Sequence, residues 1–154
     1  MKHTREEAAE LINPHWPRRP GATKVDIRDA WPHIEVGAGW GDVLWHAHHI
    51  AKDFDENYTV RQIKEKFGGL RFYADLPFVV ECMIEALANN VCEVCGDFGN
   101  VVSKAPHGWL RNACKEHRGP GDKTAWEWKS DTTNYGGTFD GGTDEMGVVE
   151  GSEE

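Results

Sequence analysis

YTVRQIKEKFGGLRFYAD, residues 58–75, is the stretch on which the fold turns. β-Branched and aromatic side chains fill both halves and Gly68-Gly69 interrupts them, the pattern of two antiparallel strands joined by a tight turn. In the second strand, Leu70 to Ala74, alternation sends Leu70, Phe72 and Ala74 to the buried face. A competing reading caps a short helix at Thr59 with Gln62, buries Val60, Ile63 and Phe67, and stops at Gly68. The hairpin is the preferred reading.

Amphipathic helices flank this segment. Trp40, Val43, Leu44, Ala47, Ala51 and Phe54 recur at offsets of three and four and predict a helix over 40–54 with one apolar stripe. Trp45 points away from that stripe, where packing against the tail or a loop ranks ahead of a contact site. Asp42, His46, His49 and Asp53 share a polar arc of about 60°. Two imidazoles between carboxylates can hold a metal or exchange protons, but a solvated face is favoured because nothing else converges there. His48 flanks the stripe with no evident role. Downstream, Pro77 opens a helix to about Asn89 with Val80, Met83, Ile84 and Leu87 buried, Glu81 and Glu85 outside, and Cys82 a quiet, semi-buried thiol at the edge. Upstream, a capping box, Thr4-x-x-Glu7, starts a short helix over 5–12 that Asn13-Pro14 stops. The three prolines of PHWPRRPG then hold the chain extended, with Arg18 and Arg19 solvated. His33 to Val36 alternates as a short strand closed by Gly37 and Gly39.

The chemistry concentrates in Cys92-Glu-Val-Cys95-Gly96 and, after eighteen intervening residues, Cys114-Lys-Glu-His117. Zn²⁺ takes four donors in a tetrahedron, and a two-residue gap lets both side chains of a knuckle turn to one ion. Gly96 suits the tight backbone of such a knuckle. Disulfides are the competing use of these cysteines, but paired C-x2-C and C-x2-H spacing in a cytosolic chain favours metal. A tight first knuckle, an extended stretch through Gly108-Trp109-Leu110 and a second pair on a final turn predict a treble-clef or zinc-ribbon-like finger. With four protein ligands no position stays open for water, so the ion is read as structural.

Length and charge bound the rest. The chain has 154 residues, 39% hydrophobic and 28% charged, with mean hydropathy -0.62, which predicts a soluble α+β protein of about one domain. No apolar run approaches the roughly 20 residues that span a bilayer, and the first residues lack the apolar core of a signal peptide, so a cytoplasmic protein with no membrane role is expected. The net charge is -9, and from Gly119 onward nine acids and two bases give -7, leaving -2 for the other 118 residues. That balance argues against broad nucleic-acid wrapping and reads 119–154 as a flexible, acidic, Gly-rich tail, although it carries Trp126, Trp128, Tyr135 and Phe139. The expected organisation is an N-terminal helix and Pro-rich arm (1–30), an α+β core (31–90), a zinc finger (91–118) and the tail (119–154).

Glu35-Val-Gly-Ala-Gly-Trp40, the run Val60 to Tyr73, Cys92-Glu-Val-Cys95-Gly96 and Trp109-Leu-Arg-Asn-Ala-Cys114-Lys-Glu-His117 together resemble a family of small bacteriophage and bacterial zinc-binding proteins of unassigned function. The likeness covers roughly residues 31–118, and KEKFGGLRFY with the zinc pairs is its most specific part. It implies a phage or prophage accessory protein in the host bacterial cytoplasm and the ligand set Cys92, Cys95, Cys114 and His117; it implies no catalytic residues. Three function classes follow. The first is a non-enzymatic module that binds a host protein, through Trp45 and the tail residues Trp126 and Trp128. The second binds nucleic acid through Arg61, Lys64, Lys66 and Arg71 with Phe67, Phe72 and Tyr73. The third is a degenerate HNH-like nuclease, in which Cys114-x2-His117 ends the motif and His107 lies between the Cys pairs, although Ala105-Pro106-His107-Gly108 does not supply the acidic-histidine strand that motif needs.

Overall fold

The computed structural model describes residues 2–17 and 34–134. Among them the elements run α1 (Arg5–Ile12), β1 (Ile34–Glu35), α2 (Gly41–Phe54), β2 (Val60–Lys66), β3 (Gly69–Ala74), α3 (Phe78–Ala86), β4 (Asn100–Ser103), β5 (Arg111–Ala113), β6 (Lys123–Thr124) and α4 (Ala125–Asn134), an α+β fold. Arg18, Arg19 and His33 lie outside the described residues.

The hairpin forms as its β-propensity predicts, with Lys66 opposite Gly69, Lys64 opposite Arg71 and Ile63 opposite Phe72. Its loop is Phe67-Gly68 rather than Gly68-Gly69. Both residues have positive φ, 56° and 79°, as a two-residue type I′ turn demands, and Gly69 already belongs to β3. A register irregularity between Val60 and Gln62 keeps both Val60 and Ile63 on the inner face. Strand β1 adds to β2 in parallel, with Ile34 beside Ile63. Leu70, Phe72 and Ala74 are buried as expected, which removes Phe72 from any surface role.

The inner sheet face and the helices share one core. Ile34, Val60, Ile63, Leu70 and Phe72 meet Ala8, Ile12, Trp40, Leu44, Ala47, Val80 and Ile84. Helix α1 starts at the expected capping box, with the Thr4 side chain accepting from the Glu7 N–H and the Glu7 carboxylate accepting from the Thr4 N–H. Helix α2 buries its predicted stripe except Phe54, which is exposed at the last turn. His48 is also buried, and shares a 2.8 Å hydrogen bond with the Tyr58 hydroxyl.

Helix α3 corrects three expectations. Only Val80 and Ile84 are fully buried and Leu87 is partly so, while Met83 is 55% exposed and Cys82 is an exposed free thiol. Glu81 and Glu85 do not simply face water: their carboxylates accept the N–H groups of Ala74 and Phe72 at 3.1 and 3.0 Å. Strand β3 is the sheet edge, and these two side chains satisfy donors that no neighbouring strand reaches. The helix ends before Asn89, and the chain turns at Asn90, whose φ is 60°.

By internal contacts the chain forms two compact units, Met1–Val102 with Leu110–Gly119, and Ser103–Trp109 with Pro120–Glu154. The first joins the α+β core and the cysteine pairs, which the sequence reading had separated. In the second, the expected flexible tail begins with structure: Thr124 and Glu127 form a capping box at 3.2 and 2.8 Å that opens α4. Trp128 donates its indole N–H to the Ser103 carbonyl, and Lys123 pairs with Asp131. Residues 135–154, with Tyr135 and Phe139, lie outside the described residues. The Ala105–Gly108 segment is a turn, with the Gly108 N–H on the Ala105 carbonyl at 3.0 Å, ahead of Trp109-Leu110. Among the described residues no helix is long and apolar enough to cross a membrane.

Candidate metal centre

The first ligand pair sits on a knuckle. An antiparallel bridge between Val91 and Phe98 closes it, the Cys92 N–H donates to the Asp97 carbonyl at 2.8 Å, and the Gly96 N–H donates to the Cys92 carbonyl at 2.9 Å. Gly96 takes φ of 83° there, a conformation that costs glycine nothing. The turn aims two amides at sulfur, Val94 N–H at Cys92 Sγ (3.4 Å) and Asp97 N–H at Cys95 Sγ (3.5 Å).

The second pair is delivered by the β4–β5 hairpin, in which Asn100 faces Ala113. Cys114 follows β5 directly, and the N–H groups of His117 and Arg118 turn back onto its carbonyl. The knuckle and β5 are tied together by Glu93 and Asn112: the Glu93 N–H donates to the Asn112 carbonyl at 3.1 Å, and the Asn112 N–H donates to the Glu93 carboxylate at 3.0 Å. Burial pushes the Glu93 carboxyl above the ordinary range.

These elements bring the four donors together, all within 4.8 Å of one another. Cys92 Sγ lies 3.7 Å from His117 Nδ1, Cys95 Sγ lies 3.6 Å from Cys114 Sγ, and Cys114 Sγ lies 3.1 Å from His117 Nδ1. Two sulfurs bonded to one tetrahedral zinc at 2.3 Å stand about 3.8 Å apart, so the Cys3His set fits a metal ion such as zinc. Burial alone would raise the Cys92 thiol, but the N–H groups of Cys114, Cys95 and Val94 outweigh it and hold the group at about 6. The Asp97 N–H lowers Cys95, yet burial and the sulfurs of Cys114 and Cys92 outweigh that and push it up to about 11. A cation among them favours all three thiolates. An ion held by all four donors would have no open position, and the chemistry it would supply is cross-linking of the two loops.

The centre rests on residues that the sequence reading assigned elsewhere. Gly37 and Gly39, read as strand closers, lie under the knuckle: a Cβ on Gly39 would stand 2.5 Å from the Cys92 carbonyl oxygen, and one on Gly37 would stand 2.3 Å from that of Glu93. The Gly39 N–H donates to the Glu93 carbonyl at 2.7 Å and the Trp40 indole N–H to the Val91 carbonyl at 2.9 Å. The spacing in Gly37-Ala-Gly39 was the available signal.

The other candidate residues do not join this site. Among the described residues the Cys3His set is the only group of metal-ligating side chains with converging donors. On α2, Asp42 accepts the N–H groups of Lys2 and His3 and is lowered, its burial outweighed by these bonds, while His49 bonds the Trp45 carbonyl. Trp45 is half-buried with its ring stacked on His3 at 3.6 Å, packed against the N-terminal segment. Arg61 pairs with Asp75 at 2.8 Å, whereas Lys64, Lys66 and Arg71 lie along the outer hairpin face. Trp126 is 74% exposed, and His107 is exposed on its turn. Comparison with protein families, with curated proteins and with solved structures finds no match to the chain.

Proposed function

We propose that the chain is a non-enzymatic protein-binding module in which zinc, held by Cys92, Cys95, Cys114 and His117, is structural. The carrying observation is the outer face of α3. Phe78, Val79 and Met83 are 79%, 63% and 55% exposed, Cys82 lies among them, and no charge interrupts this face because Glu81 and Glu85 are turned to β3. A helix face made of large apolar side chains is ordinarily covered. The uncovered face extends about 14 Å along the nine-residue helix.

The occupant is a different protein, with an apolar groove bordered by basic side chains. A net charge of -9 repels a second copy and attracts such a border. The resemblance of residues 31–118 to bacteriophage and bacterial proteins supports a phage-type accessory role, with a host cytoplasmic protein as the partner. Affinity capture from bacterial lysate is run in parallel with the wild type and with a Val79→Glu, Met83→Glu chain of equal melting temperature and metal content. A protein recovered in a salt-dependent manner by the first and lost with the second supports the reading. Equal recovery by both chains overturns it.

A further inference from the structure

The outer face of the β1–β2–β3 sheet takes no part in the core. Its cross-strand rows are Gln62 with Tyr73, Lys64 with Arg71, and Lys66 with Gly69, and the one acid in register is Glu35, beside Lys64. Lys64 and Arg71 are like charges placed directly opposite each other, which weakens a strand pair. Among the described residues neither is paired with a carboxylate: the Lys64 ammonium stands 5.8 Å from the Tyr73 ring centre, and Arg71 turns back onto the Leu70 carbonyl at 3.1 Å.

The hairpin tip carries an independent observation. Phe67 is 64% exposed with φ of 56°, at a position of the type I′ turn that favours Asn, Asp or Gly and strains a bulky side chain. Its ring buries nothing in the core, and the Lys66 ammonium stands 5.4 Å from its centre. A strained, exposed aromatic whose ring meets only the Lys66 ammonium gets back less than its strain and exposure cost, which marks it for contact with a ligand.

We propose that this face binds single-stranded nucleic acid, with Lys64, Lys66 and Arg71 on the phosphates and bases stacked on Phe67 and Tyr73. From the Tyr73 row to the Gly69 row the face runs about 14 Å, and the tip extends it. Cations and ring faces read charge and π-surface, which every nucleotide has, so the binding is tolerant of sequence and of sugar. A duplex hides its base faces and binds more weakly. Phe72, first grouped with these aromatics, is buried and plays no part. The inference goes beyond the protein-binding reading and uses none of its residues.

The test is fluorescence anisotropy of the full chain with labelled twelve-nucleotide oligo-dT and oligo-U and with a duplex of the same length. Both single strands are expected to bind within a few-fold of each other and at least tenfold more tightly than the duplex. Three phosphates neutralised give a slope of log K against log salt of about -2, and Lys64→Gln with Arg71→Gln reduces it to about -0.7. Phe67→Asn is expected to lose about tenfold in affinity while raising the melting temperature, because asparagine suits the turn. A purely structural role for Phe67 cannot move the two readouts in opposite directions. Absence of binding by the folded full chain, a duplex that binds equally, displacement by poly-glutamate as effective as by the single strand, or unchanged affinity in Phe67→Asn overturns the proposal.

Discussion

Single side chains show where the molecule is constrained. Gly39 is the clearest, because the knuckle backbone rests where its Cβ would be. Gly39→Ala is expected to cost about 1–3 kcal/mol by overpacking, while Ala38→Ser, at an exposed neighbour, costs almost nothing. Urea unfolding of both variants checks this, and equal midpoints refute it. Native mass spectrometry is expected to find one zinc on the wild type and none on Cys114→Ser, and the substitution is expected to lower the melting temperature substantially. The metal contributes on the order of 10 kcal/mol in isolated zinc fingers.

His48 sets a pH dependence. Burial holds it at about 4 against an ordinary 6.5, and coulombic repulsion from His15, His49 and Lys52 reinforces that, with Tyr58 on its Nδ1. The unfolded chain takes up a proton below pH 6.5 that the folded chain refuses until about 4. The stabilising contribution is therefore complete above about 6.5 and is lost as pH falls toward 4, a change of about 3 kcal/mol. His48→Gln is expected to flatten this part of the curve. Measured between pH 7 and 4.5, the difference between wild type and variant isolates His48 from the metal ligands, which both chains share. Parallel curves would refute the assignment.

At the scale of elements, local signals were legible and reciprocal ones were not. The capping box at Thr4, the apolar stripe of α2 and the hairpin each depend on neighbours in sequence, and each is present. The same capping pattern stands at Thr124-x-x-Glu127, but the acidic, glycine-rich composition around it reads as a flexible tail and conceals α4. In α3 the failure has another cause: Phe78, Val79, Val80, Cys82, Met83 and Ile84 give no single stripe, so periodicity could not say which side is covered. Glu81 and Glu85 looked like ordinary surface acids because their partners are backbone donors of an edge strand, which no pattern of side chains reveals. The Cys3His spacing, by contrast, left little choice, and the structure converges those four donors.

Replacing Glu81 and Glu85 together by Ala leaves two edge-strand donors without their acceptors, and is expected to cost about 2–4 kcal/mol at the usual 1–2 kcal/mol for each bond. Amide exchange at Phe72 and Ala74 should accelerate more than exchange at Ile63, on the protected central strand. Uniform acceleration across the sheet would mean global destabilisation and would count against a local edge role.

For the first compact unit as a whole, the metal site and the core are expected to unfold together. Gly37 and Gly39 sit under the knuckle, Trp40 is fully buried in the core and donates its indole N–H to the residue before Cys92, and Glu93 links the knuckle to β5. An ion that held only a peripheral loop would leave Trp40 undisturbed on removal. With this architecture, loss of the metal lets four ligands separate, the knuckle relaxes, and the Val91 carbonyl moves off the indole at the centre of the α2 packing. Chelation is therefore expected to lower the melting temperature of the part of the near-ultraviolet tryptophan signal that Trp40→Phe removes, and of the far-ultraviolet helix signal, by the same amount, in one transition. Restoring zinc should return both together, with a melting temperature that rises with free metal concentration as binding linkage requires. Two separate transitions, with the helix signal melting at the metal-loaded temperature after chelation, would show that the finger is an independent module and that the glycine contacts do not couple it to the core.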